Sequence, residues 1–378
     1  MNLQKICIIG DGLAGLSAAK ILSRENIIID LYLGNNTKNK IKNDNRTTAI
    51  SESSYQFIKQ KINIKNIFWP CKEINLFFED LVNIKNFLNF KKKNLMYIFK
   101  NKKLREELNK KIIKKKNIRL IKKNISQINY TDGSVLLNKK FISYDLIILS
   151  IGSHSKLYDK ISQGRVIEKT YKEIALTTNI EHDSKIDNVS QYFLKEGPLA
   201  ILPFHKKSFS IVWSVSDSFF YKNNKIIKKI LASKIKKLFN KIKIKKIDDI
   251  QSFPIKLNLK TKYFKSNTLI LGDGLHAIHP MAGQGFNLVL RDIKKLSELI
   301  NKTLKLGLLF KNSFLLKDFY QSRKPENTII GLGVNLTNIF FKENKYFFSI
   351  RKTILENIKN FKFIKKISQT ISDKGISF

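Results

Sequence analysis

The segment Gly10-Asp11-Gly12-Leu13-Ala14-Gly15 spaces three glycines as G-x-G-x-x-G between an apolar run (4–9) and a stretch of helical apolar spacing (13–24). In that setting the first glycine permits a tight turn, the second lets a diphosphate approach the backbone, and the third lets helix pack closely on strand. The diphosphate then rests on unpaired N–H groups at the helix start. Gly10, Gly12, Leu13, Ala14 and Gly15 are therefore candidate dinucleotide-binding residues, although a glycine turn can also be purely structural. The motif alone does not choose between FAD and NAD. About 20 positions on, an acidic residue is expected for a ribose hydroxyl, yet Leu33 stands at the end of the second apolar run. Asp30 falls on the opposite strand face by the two-residue period and is read as solvent-facing.

A second cluster lies in residues 269–292, LILGDGLHAIHPMAGQGFNLVLRD. Asp273 follows an apolar strand pattern, where a carboxylate can accept hydrogen bonds from polyol hydroxyls. Pro280 bends the loop, and Gly283 and Gly285 expose backbone N–H groups at a helix start that favours negative charge. A simple helix cap would need neither the second glycine nor Asn287. The run resembles the G-D/N-A-A-x-x-x-x-P-x-x-G-Q-G-x-N-x-G-x-x-D signature of FAD-dependent aromatic-ring monooxygenases of the para-hydroxybenzoate-hydroxylase-like class. Within that class it is most similar to the ubiquinone-biosynthesis hydroxylase family. It matches at Gly272, Asp273, His279, Pro280, Ala282, Gly283, Gln284, Gly285, Asn287, Arg291 and Asp292.

Further stretches follow in the family's order. Asn45-Arg46-Thr47-Thr48-Ala49 resembles a D-x-R-x-x-A segment whose arginine lies by the flavin, and an arginine can also pair a diphosphate bidentately. IFKNKKL (98–104) resembles V-x-E-N-R-x-L, with Asn101 kept and Lys100 and Lys102 changed. Residues 197–203 (GPLAILP) resemble a strand over the ring-binding cavity, and Phe253-Pro254 stands where Y-P-L usually lies. One departure is clear: Ile151 replaces the acid of an A-D-G-x-x-S segment. What the resemblance implies is bound FAD, with NAD(P)H and O2 as co-substrates and a polyprenylated phenol or quinone precursor as the hydroxylated ring. It places Gly10, Gly12 and Gly15 on the pyrophosphate, Arg46 at the flavin edge or phosphate and Asp273 on the ribityl chain. Gly283, Gly285 and Asn287 would cradle the isoalloxazine, with His279 and Pro280 beside it. No side-chain catalyst is implied, since the cofactor carries the chemistry. Two alternatives are a different FAD oxidoreductase, such as a prenyl-chain reductase, and a non-catalytic flavin-binding subunit of a quinone-biosynthesis assembly.

The elements that must position these residues are those of an α/β protein. A Rossmann-like FAD-binding domain is expected in three pieces (1–70, 91–164, 256–311). An antiparallel substrate domain is inserted at 71–90 and 165–255, and a helical region closes the chain at 312–378. Helices are expected at 52–68, 101–117, 224–244 and 283–302, a hairpin turn at Asp132-Gly133, and short strands mixed with turns over 71–90.

Composition narrows the partners. The chain has 378 residues and a formal net charge of +41. Only 8 of its 71 basic residues are arginine, and the Lys, Asn and Ile excess runs through loops and core alike. That texture reads as AT-rich codon bias and not as a nucleic-acid surface, which favours the arginine fork. Two cysteines exclude a disulfide framework. The histidines (His154, His182, His205, His276, His279) show no metal-ligand spacing, so no metal is expected. No apolar run approaches the roughly 18 residues that span a bilayer. The expectation is a cytoplasmic protein, peripheral on the inner face of the cell membrane, that meets an anionic surface and other quinone-biosynthesis proteins. A Phe- and Lys-rich stripe at 340–367 is a candidate contact.

Overall fold

In a computed structural model, residues 3–34, 44–80, 83–153, 155–164, 166–240, 242–342, 348–357 and 362–376 are described. The amino-terminal unit is strand β1 (Lys5–Ile9), helix α1 (Leu13–Leu22) and strand β2 (Ile28–Tyr32). Next come β3 (Thr47–Ser51), α2 (Glu52–Ile62), β4 (Trp69–Glu79), β5 (Ile84–Lys100) and α3 (Asn101–Ile113). The short strands β6 (Ile118–Ile121), β7 (Ile128–Asn129), β8 (Ser134–Leu137), β9 (Lys140–Ser143) and β10 (Leu146–Leu149) follow.

The middle of the chain is strand-rich, with β11 (Val166–His182), β12 (Val189–Leu194), β13 (Gly197–His205) and β14 (Ser208–Ser216). Helix α4 (Ile227–Leu238) separates these from β15 (Ile244–Ile247), β16 (Gln251–Lys260), β17 (Phe264–Lys265), β18 (Thr268–Ile270) and β19 (His276–Ala277). Helices α5 (Gln284–Lys305), α6 (Leu315–Phe341), α7 (Phe348–Asn357) and α8 (Lys362–Lys374) complete the chain.

Two sheets divide the work. The first has the order β17-β18-β10-β1-β2-β6 and is parallel apart from its β17 edge. Its central strands are continuous apolar runs, as a sheet covered on both faces requires. The second has the order β19-β16-β11-β14-β13-β12-β4-β5-β3, with β15 added beside β11. It is antiparallel except where β12 runs parallel to β4.

Three sequence expectations change here. Residues 71–90 are not short strands and turns but parts of two long paired strands, β4 and β5. Their polar residues mark a sheet with one wetted face, which breaks up the apolar signal. β5 runs unbroken through the boundary expected at 90/91. Asp30 is not solvent-facing: it is 2% exposed and bonded to Arg119, Tyr144 and Lys5. The edge strand β6 sets Arg119 in register beside Asp30, and a buried carboxylate is held by that pair. Burial works to raise the Asp30 pKa, but these partners outweigh it and hold it below the ordinary carboxylate value.

Candidate cofactor and substrate cavity

The carboxyl ends of β1, β10 and β18 open on one cavity of about 1070 Å³, whose far side is the second sheet. Ligands of open parallel sheets bind at that end of the strands.

At the end of β1 the three glycines do different jobs. Gly10 has φ +132°, and a Cβ there would sit 2.2 Å from the Ser150 carbonyl oxygen. A Cβ on Gly15 would lie 2.1 Å from the Gly10 oxygen, so this residue lets α1 press against the strand. A Cβ on Gly12 would meet nothing within 4 Å and would enter the cavity that Leu13 and Ala14 also line. Gly12 is the N-cap of α1, which has no side-chain cap and no acid in its first turn. Free N–H groups and open space beside Gly12 fit a diphosphate.

The second motif faces the first. Gly272, at φ +79°, packs against Ala14, and Asp273 follows it into the cavity. Asp273 lies deep in the molecule but is open to the cavity, and forms no hydrogen bond among the described residues. Burial raises its pKa, while His276 and Arg46 oppose the rise. A carboxylate with no protein partner fits the hydroxyls of a polyol chain. Gly283 (φ +61°) is the uncapped N-cap of α5, and Gly285 has open space where a Cβ would be. Asn287 is buried and braces this turn: its Oδ1 accepts from Ser51 N at 2.9 Å and its Nδ2 donates to Gly283 O at 3.0 Å. Its side chain therefore positions the loop through protein contacts.

Arg46 and Asn101 line the same cavity. Thr48 Oγ1 donates to Asn101 Oδ1 at 2.6 Å, which leaves the Asn101 amide N–H groups for a ligand. Arg46 is held bidentately by Asp44, both contacts at 2.8 Å, and lies over the Phe253 ring. Asp44 was missed by the sequence reading, though D-x-R at 44–46 was the available signal. At the departure from A-D-G, Ile151 N donates to Tyr158 Oη at 3.1 Å and Tyr158 Oη donates to Gly152 O at 2.8 Å. The loop is thus held by a tyrosine without the acid. Leu33 continues strand pairing through its N–H to Ile121 O at 2.8 Å.

His279 and Pro280 also reach the cavity wall. Met281 N donates to His279 Nδ1 at 3.2 Å, so the ring proton sits on Nε2 and is donated to Glu173 Oε2 at 2.9 Å. Glu173 also binds Lys342 at 2.5 Å and Asn338 at 3.4 Å, which ties the motif loop to the end of α6. Burial raises the Glu173 pKa, but His279 and Lys342 outweigh it and the carboxylate stays below its ordinary value. No spacing in the sequence connects Glu173 to His279, so it was unreadable there. His276 behaves similarly, donating to Asp292 Oδ2 at 2.6 Å, while Arg323 holds the other Asp292 oxygen at 2.7 Å. Arg291 donates to Ser372 O at 2.9 Å and fixes α8 over the cavity. His154 lies outside the described residues.

Much of the remaining wall is apolar, with Phe87, Leu88, Phe90, Phe193, Phe341 and Leu355 among its residues. Phe193 and Phe341 stack with centroids 3.5 Å apart. Ala200 and Leu202 of β13 also line it, as expected for the 197–203 strand. Of the expected site residues, Gly10 and Gly15 stay beneath the turn, and the others line the cavity.

The cavity thus brings together two uncapped helix starts, a carboxylate without a hydrogen bond among the described residues, and aromatic walls. Residues 147–307 match the model described as "FAD binding domain". Residues 5–217, more than half of the chain, match the one described as "Glucose inhibited division protein A". The chain is 27% identical over 291 residues to ubiquinone biosynthesis monooxygenase COQ6 of Dictyostelium discoideum, covering 64% of this chain and 58% of that one. It is 28% identical over 160 residues to 3-demethoxyubiquinol 3-hydroxylase of Escherichia coli, covering 42% and 41%. The matched stretches thus span about half the length of these curated relatives. Among solved structures, p-nitrophenol 4-monooxygenase PnpA of Pseudomonas putida superposes with TM-score 0.78 at 13% identity, covering 99% and 98% of the two chains. Klebsiella pneumoniae HpxO, complexed with FAD and uric acid, superposes with TM-score 0.75 at 15% identity, covering 98% and 97%. These two likenesses show the fold. The chain belongs to the ubiquinone-biosynthesis hydroxylase family of FAD-dependent monooxygenases, and FAD is its cofactor.

Proposed function

We propose that the protein hydroxylates the aromatic ring of a polyprenylated ubiquinone precursor, using O2 and NAD(P)H. The single observation that carries this reading is the continuity of the cavity. Gly12, Asn101, Asp273 and Gly285 line the same cavity of about 1070 Å³ as Phe87, Phe90, Phe193 and Phe341, so a flavin and an aromatic substrate would share one space. FAD, when bound, supplies the redox chemistry. Gly12 and the α1 terminus would hold its diphosphate, Asp273 its ribityl hydroxyls, and the Gly283–Gly285 N–H groups its ring. Arg46 adds positive charge to that cavity, and Pro280 and the Glu173-braced His279 shape the chamber wall. The apolar side chains exclude water from the reacting ring.

The domain division follows the same reading. β1, β2, β6, β10, β17 and β18 all fall within 1–70, 91–164 and 256–311, which supports a discontinuous cofactor-binding domain. A lipid-resident substrate also asks for contact with a membrane. No helix among the described residues is long and apolar enough to cross one. α6 instead presents Ile329, Leu332, Leu336, Ile339 and Phe340 to solvent at helical spacing, and Leu336 and Phe340 also line the cavity. That face would set the chamber mouth on the bilayer, with the net charge of +41 adding attraction to anionic lipid. Of the 340–367 stripe, Phe341 and Leu355 belong to the chamber instead, and Phe347 lies outside the described residues. The reading is tested by supplying purified protein with FAD, NAD(P)H and a short-chain prenylated phenol. Ring-hydroxylated product in step with reductant oxidation is expected. Flavin-loaded protein that consumes no reductant would point instead to a non-catalytic subunit.

A further inference from the structure

The second sheet forms one side of the cavity, and a single row of it can be followed strand by strand. Register sets Leu88 of β5 beside Leu76 of β4, then Gln191 of β12, Ala200 of β13, Val212 of β14 and Thr177 of β11. All six line the cavity. Four are apolar, and the Thr177 hydroxyl is sealed from the open space. The polar group that this row opens to the cavity is the amide of Gln191.

β12 is buried along its whole length. Tyr192 and Leu194 pack with Trp213 and Ile235 on the opposite face of the sheet. By the two-residue period Val189, Gln191 and Phe193 face the cavity. A polar side chain so deeply buried normally finds a partner in the protein. Gln191 does not: it is 8% exposed and its side chain makes no hydrogen bond among the described residues. Neither of its polar atoms is sealed as the Thr177 oxygen is. The amide offers one acceptor and two donors, and leaving them unmet against an apolar wall is costly. Water that meets them in the free protein must be replaced by a ligand group able to make the same bonds.

Position along the strand says which ligand this is. Val189, two residues before, clusters with Ala49, Cys71 and Ile98, and the Ala49 Cβ lies 3.4 Å from where a Cβ on Gly283 would stand. Phe193, two residues after, stacks on Phe341 and meets Phe87. Each step of two residues covers roughly 6.5 Å. Gln191 thus stands between the turn assigned to the flavin ring and the aromatic walls. Beside it, the short side chains of Ala200 and Val212 leave space for a planar ring.

We propose that Gln191 recognises the substrate ring, its amide hydrogen-bonding a hydroxyl or carbonyl oxygen on that ring and so favouring oxygenated rings over bare ones. The identity of the ring rests on the monooxygenase reading; the unpartnered amide does not.

Titration of the holoenzyme with ortho-geranylphenol and with geranylbenzene, which lacks the ring oxygen, tests it through the change in flavin absorbance. Gln191→Met keeps the length of the side chain and Gln191→Leu keeps its apolar fit. In both, the ratio of the two dissociation constants should move about tenfold or more in favour of geranylbenzene. FAD content and melting temperature should stay at wild-type values. The wild-type ratio retained in both variants, with or without an earlier melt, would mark a structural amide and overturn the assignment. Loss of FAD with the ratio unchanged, or no binding of the phenol by wild type, would overturn it too. Product analysis separates this role from the reaction. A wild type that discriminates through Gln191 but yields no hydroxylated phenol would refute the monooxygenase reading and leave the recognition role standing. A wild type that hydroxylates the phenol while both variants keep its ratio would do the reverse.

Discussion

Replacing each glycine of the first motif in turn separates folding from cofactor binding. At Gly12 the backbone is φ −72°, ψ 174°, which alanine adopts freely, and its Cβ would meet no atom within 4 Å. Loss of chain entropy favours alanine by about 0.4–1 kcal/mol, and loss of a glycine N-cap opposes it by a similar amount. The apoprotein of Gly12→Ala should therefore melt within about 2 °C of wild type. The added methyl projects into the cavity where a diphosphate must touch the backbone, so FAD should bind at least tenfold more weakly, about 1.4 kcal/mol. Gly10→Ala differs: its φ of +132° and the Ser150 oxygen 2.2 Å from the new Cβ force the strand apart. Backbone strain alone accounts for about 1–3 kcal/mol, and the clash adds to it, so a drop of about 5 °C or more is expected in apoprotein. Differential scanning fluorimetry of flavin-stripped protein and quenching of flavin fluorescence measure the two effects. Gly12→Ala with wild-type FAD affinity, or with a melting loss equal to that of Gly10→Ala, would refute the assignment of Gly12 to the diphosphate.

How much of this was visible in the residues follows from how local each signal is. The glycine turn and the 269–292 segment could be read because each is contiguous and each glycine answers a backbone need at its own position. Helices such as α3 and α5 announced themselves through apolar residues at helical spacing, with Leu104, Leu108 and Ile112 buried as a line. β4 and β5 were misread because residues such as Lys91, Lys92 and Lys93 face water, and pairing between distant strands has no local signature. Asp30 was misplaced for the same reason: its partner Arg119 lies 89 residues away and reaches it only because β6 docks on β2. The bracing of His279 by Glu173, 106 residues earlier, likewise exists only after the sheets are assembled. Residues that meet a ligand through the backbone were readable, and charged side chains that meet each other across the fold were not.

Asp273→Ala should retain FAD roughly tenfold to a hundredfold less well, since a hydrogen bond to a charged group is worth about 1.5–3 kcal/mol; flavin content after gel filtration checks it. Asn287→Ala should destabilise the protein by about 1–3 kcal/mol even without flavin, because the Ser51 N–H and Gly283 carbonyl both lose their partner; urea melts of apoprotein would show it. The Asp30 pKa is lowered on folding, so its contribution is complete above the unfolded value of about 3.9 and is lost as pH falls through the lower folded value. The stability gap between wild type and Asp30→Asn should therefore be constant at neutral pH and shrink below about pH 4, and an equal gap at both would exclude the ion pairs as its source. Membrane contact through α6 makes the most specific demand on one surface, because Leu336 and Ile339 are 64% and 48% exposed and are packed on little else. Leu336→Asp/Ile339→Asp should leave the fold and flavin content intact while removing two apolar anchors and placing two negative charges against the lipid. Co-sedimentation with anionic vesicles should then fall at least tenfold, a loss of about 1.4 kcal/mol or more. Wild-type binding should also weaken with salt, as attraction worth about 1 kcal/mol per near-surface lysine is screened. Equal sedimentation of wild type and variant at low salt would mean that diffuse lysine charge, not the α6 face, holds the protein to the vesicle.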